Sequence, residues 1–490
     1  MSLSRRALMS GLLASVSTAS SAASLRPRLR PADFALGSAP PSAASVLGDS
    51  GLSSVTGFSL RDLGNGRVLE EHQPGLPLPP ASATKAITTL YAIDALGLDY
   101  RYSTVVAAAG PVHDGRVQGD LYLIGGGDPH LDTDGLAELA RQVAGAGIFG
   151  VTGSAYVLGS ALPFHRNIDP GQPEHAGYNP AISGMNLNFN RVHFEWKAIG
   201  NGQFSFATTA RSKSHDPAVR GVEVRVADRQ SPVFAYAQAE GRDLWTVSRQ
   251  ALGKGGARWL PVRAPDLYAA EVFRTIAAGL NVRLPDLRQA QRMPAGLTVV
   301  AEVQSAACRP MLRAMMRYST NLTAEVMGLR AHQAMGGSPA TIAESGAAMT
   351  QWARRRYGLG RVVFRNHSGL TDTTRISSDE MVQLLDHASA GPLAEIMKPV
   401  TVLDQNGNRV DVGKTKLVAK TGTLNFTRAL AGYLNTPNGR RMAFAIFASD
   451  LKARAGLNSA AEVPRGARRF RNVARRQEQA LLRRWIKLYG

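Results

Sequence analysis

Apolar positions recur with two different periods along this chain of 490 residues, and the changes of period divide it into three parts. Near the beginning, Gly57–Leu63 and Arg67–Glu71 alternate as strands do and flank Gly64-Asn65-Gly66, a hairpin turn signal. Pro77–Pro80 then forces an extended segment. Ser82 opens a helical pattern carried by Ile87, Leu90, Tyr91, Ala95 and Leu98, ending near Gly97. From about residue 97 to 265 the chain is Gly-rich and strand-like, as in Gly119–Ile124, Gly150–Leu158 and Arg191–Trp196, and poor in long amphipathic helices. Helical spacing returns in Leu267–Ala278, Pro310–Arg317, Leu322–Met335 and Ile342–Tyr357, and Ser377 with Glu380 forms a capping box before Met381–His387. Three strand-like runs follow: Leu417–Thr423, Arg428–Asn435 and Met442–Ser449, the last two joined around Pro437-Asn438-Gly439. The early hairpin and the late strands are natural partners in one antiparallel sheet flanked by helices. This predicts a discontinuous α/β (α+β) domain, residues 51–96 and 266–490, interrupted by β-rich inserted domain(s) over 97–265.

The two ends differ from this pattern. Arg5 and Arg6, the apolar stretch Ala7 to Val16 and small residues at 20–24 read as a signal peptide over 1–23. Ser4-Arg5-Arg6-Ala7-Leu8-Met9 also resembles a twin-arginine signal, so the expected location is the periplasm. Residues 24–50, rich in Ala, Ser and Pro without periodicity, read as a linker or arm. At the other end, Phe470, Val473, Ala474, Leu481, Trp485 and Leu488 recur at helical spacing among nine basic residues. Two readings stand: a basic helix making weak contact with anionic membrane, or a terminal helix packed on the sheet with a solvated basic face. The second is the commoner fate of such a stripe.

Composition narrows the partners. The formal net charge is +20, and only ten of the 57 basic residues are lysine. No basic motif interleaved with aromatics is present, so nucleic acid is not the expected partner, and export points instead to cell-wall polymer. Cys308 is the only cysteine, which excludes an intramolecular disulfide and a cysteine zinc site. The ten histidines lack metal-ligand spacing, and Gly125-Gly126-Gly127 lacks the Lys-Ser/Thr of a phosphate cradle. No metal and no cofactor are expected.

Three short motifs remain: Ser82-Ala83-Thr84-Lys85, Ser319-Thr320-Asn321 and Lys420-Thr421-Gly422-Thr423. A Ser-x-x-Lys arises by chance about once or twice in such a chain, but Lys-Thr-Gly is expected only ~0.05 times with lysine this scarce. Their chemistry is complementary. A serine hydroxyl needs a base within hydrogen-bond reach, and residues three apart on a helix share a face, so Lys85 can serve Ser82. A lysine is a base only when burial or a neighbouring cation depresses its pKa, and Lys420 is the candidate cation. Gly422 would let a substrate backbone lie along its strand, with the Thr423 N–H as an oxyanion donor. Singly, Ser82 reads as a helix cap and Lys85 as a solvated residue.

Together and in this order, the motifs resemble those of the penicillin-recognising serine hydrolases. The long insertion after the Ser-x-x-Lys helix is similar to that of the class C low-molecular-mass penicillin-binding proteins, the D-alanyl-D-alanine carboxypeptidase/endopeptidases. Gly126-Gly127-Asp128-Pro129 and Tyr178-Asn179-Pro180 leading to Asn186-Leu187-Asn188-Phe189-Asn190 look like that family too. The resemblance, over residues 50 to 480, implies an exported serine-type D-Ala-D-Ala carboxypeptidase/endopeptidase acting on peptidoglycan stem peptides and acylated by β-lactams as covalent inhibitors. It implies Ser82 as nucleophile, Lys85 as base and Ser319 as proton relay to the leaving amine. Asn321 would hold Lys85 and the substrate amide; Lys420, Thr421, Gly422 and Thr423 would bind the substrate. Two stretches depart from the family: Asn366-His367-Ser368-Gly369-Leu370 begins with Asn in place of Asp, and the nearest acid before Tyr178 is Glu174. A β-lactamase or esterase on the same scaffold and a non-catalytic cell-wall binding protein are the alternatives.

Overall fold

Strands from both ends of the sequence share one antiparallel sheet. The computed structural model describes residues 40–239, 242–457 and 463–490; the expected signal peptide lies outside them, as does the arm up to residue 39. The sheet runs in the order Lys398–Pro399, Lys416–Leu424, Thr427–Asn435, Arg441–Ser449, Thr56–Asp62, Val68–His72. Phe58 stands opposite Ile446, which joins the early hairpin to the late strands. Arg441–Ser449 is buried from Met442 onward because both faces are covered, so its residues read as an apolar run instead of an alternation.

The two faces are built differently. One carries Phe58, Leu60, Leu417, Leu430 and Phe444 and is covered by helices α1 (Ala43–Ser50) and, at the far end of the chain, Ala467–Tyr489. The other carries Ala429, Ala431, Ala443 and Ala445, whose short side chains let helices approach closely. Against it lies α2 (Thr84–Leu96), which follows the turn at Ser82.

Helix α1 corrects the expected arm over 24–50 for residues 43–50. Ser42 caps it by accepting the Ser45 N–H at 3.1 Å, and Val46 and Leu47 are buried. An eight-residue helix is marginal in isolation, and its two apolar residues form a stripe only once docked.

The insertion has its own core. A five-stranded sheet runs Arg288–Gln289, Ala155–Leu158, Leu121–Gly125, Ser103–Ala108, Thr298–Gln304, and three small three-stranded sheets accompany it. Helices α3 (Thr133–Gly145) and α4 (Pro265–Gly279) pack in the same core. Two expectations change here. The region is β-rich but also holds an amphipathic helix that its pattern did not lead one to expect: α3 buries Leu136, Leu139, Ala140 and Val143 and is capped by Asp132. The inserted fold also continues past residue 265, because Thr298–Gln304 pairs with Ser103–Ala108. Long-range pairing sets the boundary after Gln304: Arg288–Gln289 joins Ala155–Leu158, and Thr298–Gln304 joins Ser103–Ala108.

The chain returns to the first domain through α5 (Cys308–Tyr318), α6 (Asn321–Ala334), α7 (Ile342–Tyr357), α8 (Ser378–His387) and α9 (Leu393–Ile396). Cys308 is buried in this core, where burial pushes its thiol up to about 12. After the last strand come α10 (Leu451–Ala455) and α11 (Ala467–Tyr489). Leu481, Leu482 and Trp485 of α11 are buried against the sheet, while Arg468, Arg469, Arg475 and Arg476 are exposed. The apolar stripe thus packs on the protein. Among the described residues no helix is long and apolar enough to cross a membrane.

Candidate active site

Ser82 sits in a single 3-10 turn, Ala81–Ala83, that leads directly into α2. Two glycines make room for this turn. A side chain on Gly422 would collide with the Pro80 carbonyl, and Gly369, at φ +73°, backs against the Ala81 carbonyl. The close approach at Gly422 is therefore to the loop before Ser82.

Lys85 is completely buried, one turn into α2 from Ser82. Its Nζ lies 3.0 Å from Ser82 Oγ, 2.8 Å from Asn321 Oδ1 and 2.8 Å from the Ser368 carbonyl. Burial pushes the Lys85 pKa down to about 7, against the pull of the Glu325 carboxylate. A neutral amine has two N–H donors and one lone pair. Asn321 Oδ1 and the Ser368 carbonyl are acceptors only and take the two donors. The lone pair is left for the Ser82 hydroxyl proton, which is the geometry a general base requires.

Ser319 caps α5 in the left-handed conformation, φ +60°, which turns its side chain toward the sheet. Its Oγ accepts from Lys420 Nζ at 2.9 Å, and Nζ also donates to the Thr421 carbonyl at 2.8 Å. Lys420 is buried and held well below its ordinary pKa, by burial first and then by the charges of Lys85, Lys398 and Arg428. Two lysine–serine pairs therefore meet at one cleft of about 280 Å³, lined by Ser82, Ser319, Asn321 and Thr423. Thr421 contributes its carbonyl to Lys420 and is not among the lining residues. Of the two expected causes, burial is the one that depresses Lys85; the Lys420 charge is not among its causes.

Asn321 opens α6 and bridges two regions. Its Oδ1 accepts from Lys85, and its Nδ2 donates to the Tyr178 carbonyl of the insertion at 3.0 Å. Tyr178 and Gln172 form one wall of the cleft, and Val463, Ala467 and Arg471 form another. Glu174, in place of an acid nearer the cleft, pairs with Arg166 at 2.8 Å.

Glu325 was not anticipated from the sequence. It lies one turn after Asn321 on α6, fully buried, and its carboxylate accepts the His367 N–H at 3.0 Å and the Ser368 N–H at 2.9 Å. Burial raises its pKa; the Ser368 and His367 hydrogen bonds and the Lys85 charge oppose that shift. By fixing these two amides it aims the Ser368 carbonyl at Lys85. The only local signal is an acid inside the apolar run Leu322–Leu329. His367 is a core residue: its Nε2 is 2.8 Å from Ser345 Oγ, its ring stacks on Tyr91, and burial pushes its pKa down to about 3. Asn366, at the family's usual Asp position, accepts the Gly369 N–H at 3.0 Å and so keeps the loop's turn.

Residues 42–469 match the D-Ala-D-Ala carboxypeptidase 3 (S13) family. A D-alanyl-D-alanine carboxypeptidase of Actinomadura sp. (strain R39) is 27% identical over 423 residues, covering 80% of this chain and 77% of that relative. D-alanyl-D-alanine carboxypeptidase DacB of Haemophilus influenzae is 21% identical over 416 residues, covering 80% and 85%. Among solved structures, penicillin binding protein 4 (dacB) from Haemophilus influenzae matches with a TM-score of 0.74 at 17% identity, over 92% of this chain and 100% of that one. At that identity the likeness establishes the fold: an antiparallel sheet flanked by helices, with inserted domains.

Proposed function

The chain belongs to the D-Ala-D-Ala carboxypeptidase 3 (S13) family, and from that premise we propose that Ser82 is its nucleophile, acting through an acyl-serine intermediate on peptidoglycan stem peptides. The observation that carries this reading is the Lys85 amine. It is buried, depressed to about 7, and hydrogen-bonded so that its free lone pair faces Ser82 Oγ.

In this reading Ser82 Oγ bonds to the penultimate D-Ala carbonyl carbon while its proton passes to Lys85 Nζ. Backbone N–H groups at Ser82 and Thr423 stabilise the oxyanion. Collapse of that intermediate breaks the peptide bond. Lys85 gives the Ser82 proton up to the leaving amine by way of Ser319, whose hydroxyl is held by Lys420, and is neutral again. Water then attacks the acyl carbon as Lys85 accepts its proton; the bond from that carbon to Ser82 Oγ breaks and Lys85 returns the proton to Oγ, which frees Ser82 and releases the acid. Thr423, which lines the cleft, binds the peptide carboxylate, and Lys420 and Thr421 support that end of the strand from behind it. A β-lactam would follow the first half of this path and leave slowly; a second Haemophilus influenzae structure of penicillin binding protein 4, matching at a TM-score of 0.68, is complexed with a novel β-lactam.

Peptidoglycan as substrate agrees with export to the periplasm through the twin-arginine-like segment at residues 4–9. The test is release of free D-Ala from a peptide ending in D-Ala-D-Ala. The wild type should release it and Ser82→Ala should not. Equal release by the variant would overturn the reading.

A further inference from the structure

The two halves of α11 use their arginines differently. In the C-terminal half Arg484 pairs with Glu70 at 2.6 Å, and Arg483 donates to the Leu403 carbonyl. In the N-terminal half Arg468, Arg469, Arg471, Arg475 and Arg476 are all exposed. Among the described residues none of these five is in an ion pair, whereas exposed arginines elsewhere are, as Arg166 is with Glu174 and Arg249 with Asp228. The helix supplies no counter-charge on that side: its one acid, Glu478, is buried and accepts from Arg428 at 2.8 Å. At about 100° and 1.5 Å per residue, the five positions cover an arc of about 160° and a length of about 12 Å.

Five unpaired cations this close repel one another, and a polyanion laid over them relieves that repulsion. Two observations say which polyanion. The apolar stripe of α11, with Phe470, Leu481, Leu482 and Trp485, is buried on the protein, so nothing is left to enter a bilayer. The basic face also runs to the catalytic cleft, where Ala467 and Arg471 form a wall beside Ser82. A flat lipid surface resting on this face would cover the cleft mouth. A polymer strand can lie along the helix and still drop a side branch into the cleft. Peptidoglycan is such a strand, with peptides that end in carboxylates branching from it at intervals.

We propose that the arginine face of α11 is a binding surface for peptidoglycan outside the catalytic cleft: it holds the polymer by neighbouring stem-peptide carboxylates while one stem peptide reaches Ser82. The surface does no chemistry; it raises the local concentration of stem peptides at the cleft, and a short soluble peptide does not use it. The proposal rests on peptidoglycan as the substrate of the Ser82 cleft. Arg471, Arg475 and Arg476 lie beyond residue 469, where the family match ends, so the surface is built partly from a segment outside that match.

The test is co-sedimentation with purified peptidoglycan sacculi, in a Ser82→Ala background so that nothing is digested. Arg468→Gln, Arg469→Gln, Arg475→Gln and Arg476→Gln are combined, and Arg471 is left alone because it lines the cleft. The combined variant should bind about thirtyfold more weakly at low salt, at roughly two- to threefold per exposed ion pair. The same four positions changed Arg→Lys should keep most of the binding. Added salt should weaken the parent protein far more than the Arg→Gln variant, and this arm needs no variant to fold. With Ser82 intact, the Arg→Gln variant should be acylated by benzylpenicillin and release D-Ala from a soluble peptide at wild-type rates, but release it more slowly from sacculi. Equal binding by the Arg→Gln variant, or parental binding that salt leaves unchanged, overturns the proposal. So does a parent protein that binds vesicles of phosphatidylglycerol and phosphatidylcholine but not sacculi, which makes lipid the partner. Salt-sensitive binding to sacculi by a protein that releases D-Ala from no substrate overturns the Ser82 reading and supports the surface.

Discussion

The recess between α3 and α4 in the insertion, about 450 Å³, is larger than the cleft at Ser82, about 280 Å³, and it too gathers ionisable groups. Asp134, Glu138, Arg141, His215 and Asp216 line it. The difference lies in solvent. Asp134 and His215 are paired at 2.7 Å, yet their side chains are 29% and 43% exposed, so water screens the pair. Beneath the smaller cleft, Lys85 and Lys420 are fully buried, and every polar contact of Lys85 is directional. Volume therefore does not single out a recess equipped for chemistry. Desolvated charge held by a complete hydrogen-bond set does, because only there does a lysine become a base near neutral pH.

That contrast can be broken at either recess. The largest effect is expected at Lys85. Lys85→Ala should slow acylation by β-lactam about 10³-fold, as loss of a positioned base does, read as the rate of adduct formation. A fall of less than tenfold would mean that Ser82 is activated by another group.

Acidification should act next. In the proposed mechanism the neutral Lys85 amine is the active form, and burial lowers its pKa to about 7. Acylation should therefore fall about tenfold for each pH unit below 7 and level off above it. A profile still rising toward pH 10 would show a solvated lysine and end the comparison.

Glu325→Gln sharpens it from behind. A glutamine presents one oxygen and one NH₂ to two backbone N–H groups, so one buried amide loses its acceptor. An orphaned buried donor costs about 1–3 kcal/mol. The denaturant midpoint should drop, and acylation should slow about tenfold as the Ser368 carbonyl loses its aim on Lys85. The smallest effect belongs to the larger recess. Asp134→Asn should change D-Ala release by less than about twofold, the scale of an exposed ion pair. A tenfold loss would make that recess part of the substrate path.

The same contrast explains what was legible in the chain. Ser82, Lys85, Ser319, Asn321 and Lys420 stand within three short motifs, and the structure brings all five together. The motifs encode side chains whose partners are fixed by helix spacing or strand position. Glu325 was illegible because its partners, His367 and Ser368, lie 42 and 43 residues away. Arg428 and Glu478 are 50 residues apart, and only sheet register and helix docking bring them together. Helix α3 failed for another reason. Its stripe of Leu136, Leu139, Ala140 and Val143 has plain helical spacing, but it is a single short helix between Gly-rich, strand-like segments whose pattern dominates the region. The end of the insertion carried no local signal, since the pairing of Thr298–Gln304 with Ser103–Ala108 spans nearly 200 residues.

The central claim is that Ser82 carries the acyl group, and intact mass after incubation with a fluorescent penicillin tests it most directly. One covalent adduct on the wild type, absent from Ser82→Ala, is the predicted result. An adduct of equal yield on the variant, or none on a folded wild type, would contradict the account.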